Sequence, residues 1–259
     1  MKQGVDQFEK NMPGDTVIGD DILIRPLEPR DRRAVRDICA ATAWMGDPSA
    51  GHVPDEWTWA EFWTRYFTDR QPAHSWVAAS RDSAGTGPAV GDSDAGGAGA
   101  IVGYLIGTPD ASAADRYARR LIPGMAFHVL ARGLLLRRGP RRALGGMIRA
   151  MLSGQLDLPP GVLRDYPATF HMNLLASARG KGLGKRLFAK FRARMESLGC
   201  RGVHAQPLSV NEPIRRLLAS LGFRQIASTP CRAFAHVEPR QIEIQTWVLP
   251  LESPPPRPV

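Results

Sequence analysis

The 259-residue chain contains 43% hydrophobic and 23% charged residues, proportions that fit a soluble globular protein. No apolar run comes close to the roughly eighteen residues needed to span a bilayer. The N-terminal residues also lack the apolar stretch of a signal peptide, so we expect a cytoplasmic protein. The three cysteines Cys39, Cys200 and Cys231 have no metal-like spacing, which predicts buried, reduced thiols and no metal site.

The first half of the chain predicts strands and helices in alternation. Residues 1–20 are polar and aperiodic, and we expect them to be flexible. Residues 21–27 alternate as in a strand, and a helix follows from Asp31. Asp55 is a plausible N-cap for a second helix. The apolar face of the first helix and the aromatic face of the second are both expected in the core: Ala34, Val35, Ile38, Cys39 and Thr42, then Trp59, Phe62, Trp63, Tyr66 and Phe67.

A connection and an insertion interrupt the middle of the chain. Residues 75–80 and 100–107 are predicted to form paired strands, and 81–99 between them are rich in Gly, Ala, Ser and Asp, which predicts a flexible connection. Residues 110–165, here called the insertion, read as two or three helices broken at Pro123-Gly124, at 138–140 and at Pro159-Pro160.

The insertion carries most of the positive charge. It contains ten arginines and four aspartates, within a chain of net charge +9. This pattern favours a solvated basic surface, and it lacks the aromatic and glycine interleaving of single-strand nucleic-acid binders. Interfacial lipid contact, a lid over a cleft and a homodimer contact stay open as alternative roles.

The C-terminal third predicts a further strand-helix series. Residues 169–175 form a strand with Phe170, Met172 and Leu174 on one face and His171, Asn173 and Leu175 on the other. An amphipathic helix follows and ends at Gly199. A strand at 202–207, a helix at 211–221 and closing strands at 223–229 and 241–249 complete the domain, and 250–259 are expected to be a disordered proline-rich tail.

Residues 179–184, here called the glycine loop, read Arg-Gly-Lys-Gly-Leu-Gly between a predicted strand and a helix. Free amide groups in the first turn of a helix, and its positive dipole end, favour an anion. Glycines allow the backbone to approach phosphate groups closely, and Lys181, Lys185 and Arg186 add charge. Neither the dinucleotide fingerprint nor the Walker pattern is present.

The glycine loop resembles the coenzyme A pyrophosphate signature of the GNAT superfamily of N-acetyltransferases, with Arg179, Gly182 and Gly184 at its fixed positions. The segment from Asn211 to Gly222-Phe223 resembles a later family motif. Residues 24–27 and 101–107 are similar to the first and third strands of the family. The resemblance covers roughly 21–107 and 166–249, and residues 166–175 resemble a bacterial branch, with a helical insertion, that is similar to the acetyltransferase-like domain of O-GlcNAcases.

The resemblance implies an α/β fold, a mixed and mostly antiparallel sheet with splayed central parallel strands, in one domain over 21–249. It also implies acetyl-CoA as cosubstrate, an amine of a small molecule or peptide as acceptor, and direct attack in a ternary complex. The residues implied in coenzyme binding are Leu174, Leu175, Arg179, Gly180, Lys181, Gly182, Leu183, Gly184, Lys185 and Asn211. For Asn211, capping of the following helix is an equal alternative.

The catalytic groups are less clear from the sequence. Four polar residues are expected to face the cleft from the two splayed strands: His171, Asn173, His204 and Gln206. His171 is the candidate base because imidazole titrates near neutral pH, and Asn173 would orient the acceptor or a water.

Many relatives carry a tyrosine seven residues after the asparagine, where this chain has Leu218. This departure motivates an alternative from another functional class, a catalytically weak acyl-CoA-binding sensor. Acceptor binding is expected near residues 44–57 and 229–240.

Overall fold

The computed structural model describes residues 16–18, 22–48, 53, 55–80 and 99–251. Their strands form one eight-stranded sheet in the order β1-β2-β3-β4-β5-β6-β8-β7. The strands are β1 Thr16–Ile18, β2 Ile22–Pro26, β3 Trp76–Ser80, β4 Ile101–Thr108, β5 Ala168–Leu174, β6 Gly202–Ala205, β7 Arg224–Cys231 and β8 Ile242–Pro250. The predicted α/β class and mixed sheet are confirmed.

Helices cover both faces of this sheet. They are α1 Arg32–Ala41, α2 Glu56–Arg70, α3 Ala111–Ala131, α4 Arg138–Leu152, α5 Val162–Asp165, α6 Leu183–Ser197 and α7 Glu212–Ser220. On one face, α6 packs over β5 through Leu187, Phe188 and Phe191. On the other, α1 and α2 pack over β3 and β4 through Val35, Ile38 and Phe67 among others. The sheet is therefore buried between two helical layers, which is the general solution for a sheet with two apolar faces.

Only one neighbouring pair of strands in the sheet runs parallel, and that pair separates. β5 and β6 pair at Ala168 with Val203 and at Thr169 with His204, and no further pairs follow. β5 nevertheless continues to Leu174 and stays paired with β4 from Thr169 to Leu174. A gap thus opens beside the second half of β5, as the sequence resemblance predicted for the strands at 172–175 and 202–207.

The alternation predicted along β5 is also confirmed. Phe170, Met172 and Leu174 pack against the core formed with α6. Leu175 packs on the opposite side, against the core formed with α1 and α2, and His171 stacks there on a side chain of α2. The two faces of one strand therefore serve two different layers of the molecule.

Two predictions of flexible segments and one prediction of a helix break need correction. Thr16–Ile18, assigned to a flexible N-terminus, form the edge strand β1 against β2. Leu251, assigned to the disordered tail, is buried and donates its N–H to the Arg201 carbonyl. Pro123-Gly124 does not break a helix, because α3 runs through both residues. The remaining positions of the flexible N-terminus, of the connection at 81–99 and of the tail lie almost entirely outside the described residues.

Helix α4 joins the insertion to the end of the sheet. Ala150 and Met147 pack with Phe234 and Ile244 in a third, smaller core, to which Trp44 also belongs. Within the described part of the chain, no helix is long and apolar enough to cross a bilayer. All three cysteines are buried and free, as predicted.

Candidate active site

The glycine loop lies at the start of α6, beside the gap between β5 and β6. Gly180 and Gly182 have φ angles of +76° and +73°, in the left-handed region that favours glycine. A Cβ added at either position would meet no atom within 4 Å. Glycine is required here by the backbone conformation, and the space above the loop stays open for a ligand.

The first turn of α6 offers hydrogen-bond donors to that space. Gly182 occupies the N-cap position and has no side chain to accept from the first-turn amides. Leu183 is fully buried, so only its backbone can reach a ligand, whereas Lys181 and Lys185 are exposed. A Cβ on Gly184 would come within 3.1 Å of Leu217, so this glycine also allows α6 and α7 to pack closely.

The open edge of β5 supplies backbone groups opposite the loop. Because the N–H of Leu175 donates to Val102 of β4, strand alternation directs the backbone of Leu174 and Met172 away from β4 and toward the gap. Leu175, also predicted to contact the coenzyme, has both backbone groups engaged within the protein. Its N–H is taken by Val102, and its carbonyl accepts from the N–H of Ala178.

Arg179 connects the glycine loop to two other segments. Its Nε donates to the Leu174 carbonyl at 3.1 Å, and its Nη2 donates to the carbonyl of Gly46 in the turn after α1. Asp47 lies 3.9 Å from Nη1. The Arg179 side chain, at the first position of the motif, thus holds the loop against the end of β5 and the Gly46 turn.

Asn211 and Leu218 lie on α7. Asn211 is the N-cap of this helix, and its side-chain oxygen accepts from the Ile214 N–H at 3.4 Å. Capping uses the oxygen and leaves the Nδ2 group as a donor. Leu218 is completely buried in the core beneath α6 and α7.

A polar cluster, here called the Tyr104 cluster, lies on the opposite face of β5. The hydroxyl of Tyr104 accepts a hydrogen bond from Asn173 Nδ2 at 3.2 Å and lies 3.3 Å from His171 Nδ1. The Cys39 thiol also hydrogen bonds to this hydroxyl, and burial raises the pKa of both Tyr104 and Cys39, the latter to about 12. Both groups therefore stay protonated at neutral pH.

His171 is partly exposed and packs between aromatic rings. Its ring stacks on Trp63 at 5.6 Å between centroids and lies 5.8 Å from the Tyr104 ring. Desolvation lowers the pKa of His171 to about 4. The imidazole is consequently neutral at pH 7, but it is a far weaker base than an ordinary histidine.

The other two residues expected in the cleft lie elsewhere. His204 is 4% exposed, and its Nδ1 lies 2.6 Å from the Tyr166 carbonyl. Burial lowers its pKa as well. Gln206 lies beyond the end of β6 and is exposed. Of the four predicted polar residues, the structure brings together His171 and Asn173.

Sequence reasoning missed Tyr104, Trp63 and Gly46. Tyr104 is central because the register places it directly opposite Asn173. Trp63 was predicted to lie in the core, but it is 37% exposed and its ring stacks on the ring of His171. The sequence signal for Tyr104 is that it is the single tyrosine in the apolar strand at 101–107. Its contact with Asn173 follows only from the register between β4 and β5.

Within the described residues, no group of three or more His, Cys, Asp or Glu is arranged to hold a metal ion. The residues around the glycine loop instead combine backbone donors with lysine side chains. This arrangement suits an extended phosphate-bearing ligand.

Comparisons with known proteins agree on the fold. No family model matches the chain. The chain is similar to the solved structure of SsHAT, with 26% sequence identity and a TM-score of 0.59 over 88% of this chain and 98% of that chain. It is also similar to a polyamine N-acetyltransferase of Drosophila melanogaster, with 19% identity and a TM-score of 0.53 over 89% of this chain and 100% of the other.

A third similar structure is a GNAT superfamily phosphinothricin acetyltransferase of Sinorhizobium meliloti, solved in complex with acetyl-CoA. It has 17% identity and a TM-score of 0.51 over 92% of this chain and 93% of that chain. The likeness of the insertion to O-GlcNAcase domains is not tested by these structures and stays a prediction. The sheet order, the separated parallel strands and these likenesses show that the chain has the fold of the GNAT superfamily of N-acetyltransferases.

Proposed function

We propose that this protein is an acetyl-CoA-dependent N-acetyltransferase that modifies an amine of a small molecule or peptide. The observation that carries the proposal is the gap beside β5, which has open left-handed glycines at one end and a polar cluster on the adjoining face. A bound acetyl-CoA would supply the thioester that an amine attacks, with release of the coenzyme thiol.

The coenzyme side of the site consists mainly of backbone. The first-turn amides of α6 and the backbone of Gly180 and Gly182 would bind the pyrophosphate, with Lys181 and Lys185 adding positive charge. The backbone of Met172 and the N–H of Leu174, whose carbonyl already accepts from Arg179, would hydrogen bond with the pantetheine amides in the manner of an added strand. Nδ2 of Asn211 would be a further donor.

The acceptor side consists of side chains. His171, Asn173 and Tyr104 would position the amine or a water through their shared hydrogen bonds. An amine with a pKa near 10.4 is neutral in only about one molecule in 2,500 at pH 7. A histidine with a pKa of about 4 cannot efficiently remove that proton. The rate of transfer should therefore follow the neutral fraction of the acceptor and rise with pH up to the pKa of the acceptor.

Two observations favour a second candidate, an acyl-CoA-binding protein with weak or no turnover. Leu218 is completely buried and has no hydroxyl to protonate a leaving thiolate. The lowered pKa of His171 removes an effective base. A thiolate with a pKa near 8.5 is a tolerable leaving group, so slow turnover remains compatible with both features.

Thiol release from acetyl-CoA, measured against a panel of amines, separates the two candidates. The panel should include agmatine, a polyamine and phosphinothricin, together with a lysine-containing peptide. Saturable, amine-dependent thiol release is expected. Tight acetyl-CoA binding without thiol release for any amine would favour the sensor, and absence of acetyl-CoA binding would contradict both candidates.

A further inference from the structure

An open basic pocket lies between α4 of the insertion and the segment that follows β7. Its volume is about 660 Å³, within the range of small-molecule binding sites. Arg141, Arg142 and Arg149 line it from α4, and Arg232 and His236 line it from the other side. The glycine loop at 179–184 contributes no residue to this pocket.

The positions of these residues along the helix explain why the cations converge. Arg141, Gly145 and Arg149 are four residues apart and therefore share one face of α4, and Ser153 follows at the same spacing as its C-cap. Gly146, on the same side, packs so tightly that an added Cβ would lie 2.3 Å from the Ala233 carbonyl oxygen. This contact brings the segment carrying Arg232 and His236 against the arginine face.

The charge in the pocket is not neutralised by the protein. No aspartate or glutamate lines it. Among the described residues, none of the four arginines forms an ion pair with a carboxylate, whereas Arg116, Arg119 and Arg164 of the insertion all do. Four exposed arginines line one pocket, and an oxyanion with several acceptor oxygens would reduce the repulsion between their charges.

The floor of the pocket has room for a ligand. Gly145 lines the pocket, and an added Cβ at this position would meet no atom within 4 Å. Ser153 and Gln155 add polar groups to the wall. The Oε1 of Gln155 accepts from the Arg232 N–H at 2.8 Å, which fixes the two walls together.

We propose that this pocket binds a small molecule carrying two or more phosphate charges, at a site separate from the coenzyme loop. All four arginines line one pocket, which favours a compact anion over a nucleic acid. A nucleic-acid surface would spread its cations along a phosphate backbone. The proposal does not depend on acetyl transfer.

Calorimetric titration with inorganic pyrophosphate tests the proposal directly. Gly145→Leu should fill the pocket floor, and the double variant Arg142→Ala/Arg149→Ala should remove two cations; each change should weaken binding at least about tenfold. The controls are Gly139→Leu, which makes the same glycine change on α4 outside the pocket, and Arg138→Ala, which removes one cation there. Both controls should bind pyrophosphate as the wild type does.

A second set of variants distinguishes this pocket from the coenzyme loop, which also suits a pyrophosphate. Lys181→Ala/Lys185→Ala should leave the pocket affinity unchanged. The proposal would be overturned if this loop variant abolished all pyrophosphate binding while Gly145→Leu left it unchanged. It would also be overturned if a single-stranded oligonucleotide bound more tightly than pyrophosphate and lost equal affinity in Arg138→Ala and in the pocket variants. Circular dichroism of each variant confirms that it is folded.

Discussion

The two sides of the gap beside β5 are built in different ways. On the proposed coenzyme side, one continuous segment, the glycine loop and the first turn of α6, presents backbone groups and two lysines. The proposed acceptor side draws its residues from α1, α2, β4 and β5: Cys39, Trp63, Tyr104, His171 and Asn173. Backbone chemistry is encoded locally and leaves a sequence motif, whereas the acceptor side exists only when distant segments are folded together.

The two sides also differ in the interactions that stabilise them. Left-handed glycines and first-turn amides cost little to preorganise, and they would bind phosphate whatever the acceptor is. The Tyr104 cluster is a buried network in which each group depends on the others for its hydrogen bonds. Changes on the two sides should therefore affect different measurements.

The largest effect is expected from Gly182→Val on the coenzyme side. A β-branched residue at φ +73° is strained, and its side chain would fill the space above the loop. We expect acetyl-CoA affinity to fall about hundredfold, the equivalent of two lost charge-assisted hydrogen bonds. The backbone strain should also cost about 1–2 kcal/mol of stability, contrary to the simple expectation that a loop position tolerates any residue.

Gly199→Val is the matched control for that change. Gly199 ends the same helix with φ +69°, and an added Cβ there also meets nothing within 4 Å. The control should lose similar stability in chemical denaturation and retain wild-type affinity in calorimetry. Equal affinity losses in both variants would mean that strain, and not the phosphate site, explains the effect.

A second prediction concerns the pH dependence of stability on the acceptor side. The pKa of His171 is about 4 in the folded protein and near 6.5 when unfolded, so unfolding takes up a proton between these values. The free energy of unfolding should fall as pH is lowered through this window, with His171 accounting for about 2–3 kcal/mol. Burial lowers the pKa of His74 and His204 in the same direction.

Urea denaturation of the wild type and His171→Gln between pH 4 and 7 measures that contribution. Glutamine does not titrate, so the variant should show a shallower loss of stability in acid. His204→Gln provides a comparison away from the gap. Identical pH profiles for the wild type and His171→Gln would contradict the desolvation of a neutral imidazole beside Trp63.

A third prediction separates the two sides through Tyr104→Phe. Removing the hydroxyl deprives Asn173 and His171 of a shared partner, which should cost about 1–3 kcal/mol of stability. The KM for the acceptor should rise, while acetyl-CoA affinity in calorimetry stays at the wild-type value. An equal loss of affinity for both substrates would show that the two sides are not independent.

The smallest expected effect distinguishes the two roles of Asn211. Asn211→Asp keeps an oxygen for the Ile214 N–H and should retain stability, whereas Asn211→Ala should lose about 1 kcal/mol as a missing N-cap. Both variants lack the Nδ2 donor and should bind acetyl-CoA a few-fold more weakly. If only the alanine variant binds more weakly, Asn211 acts through the helix alone.

The order of strands and helices could be predicted where the local pattern agrees with the tertiary fold. The alternation along β5 and the glycine loop before α6 are examples, because strand period and left-handed glycines are local properties. Pro123 was misread as a helix break. It lies on an exposed face of α3, where water can solvate the carbonyl that loses its partner.

The Tyr104 cluster could not be predicted for a different reason. Tyr104 meets Asn173 only through the β4–β5 register, and Trp63 meets His171 only through the packing of α2 on the sheet. The helical spacing of Trp63 is the same whether its face meets the core or the edge of a cleft. The lowered pKa of His171 likewise follows from desolvation of its imidazole by neighbouring rings, which no sequence pattern predicts.

Backbone amide chemical shifts during titration with acetyl-CoA test the central claim most directly. We expect the largest shifts at Met172, Leu174 and residues 180–185, with saturation at one equivalent of acetyl-CoA. Small shifts are expected at the basic pocket of α4. Saturable binding that leaves Met172 and the glycine loop unshifted would contradict the assignment of the β5–β6 gap as the coenzyme site.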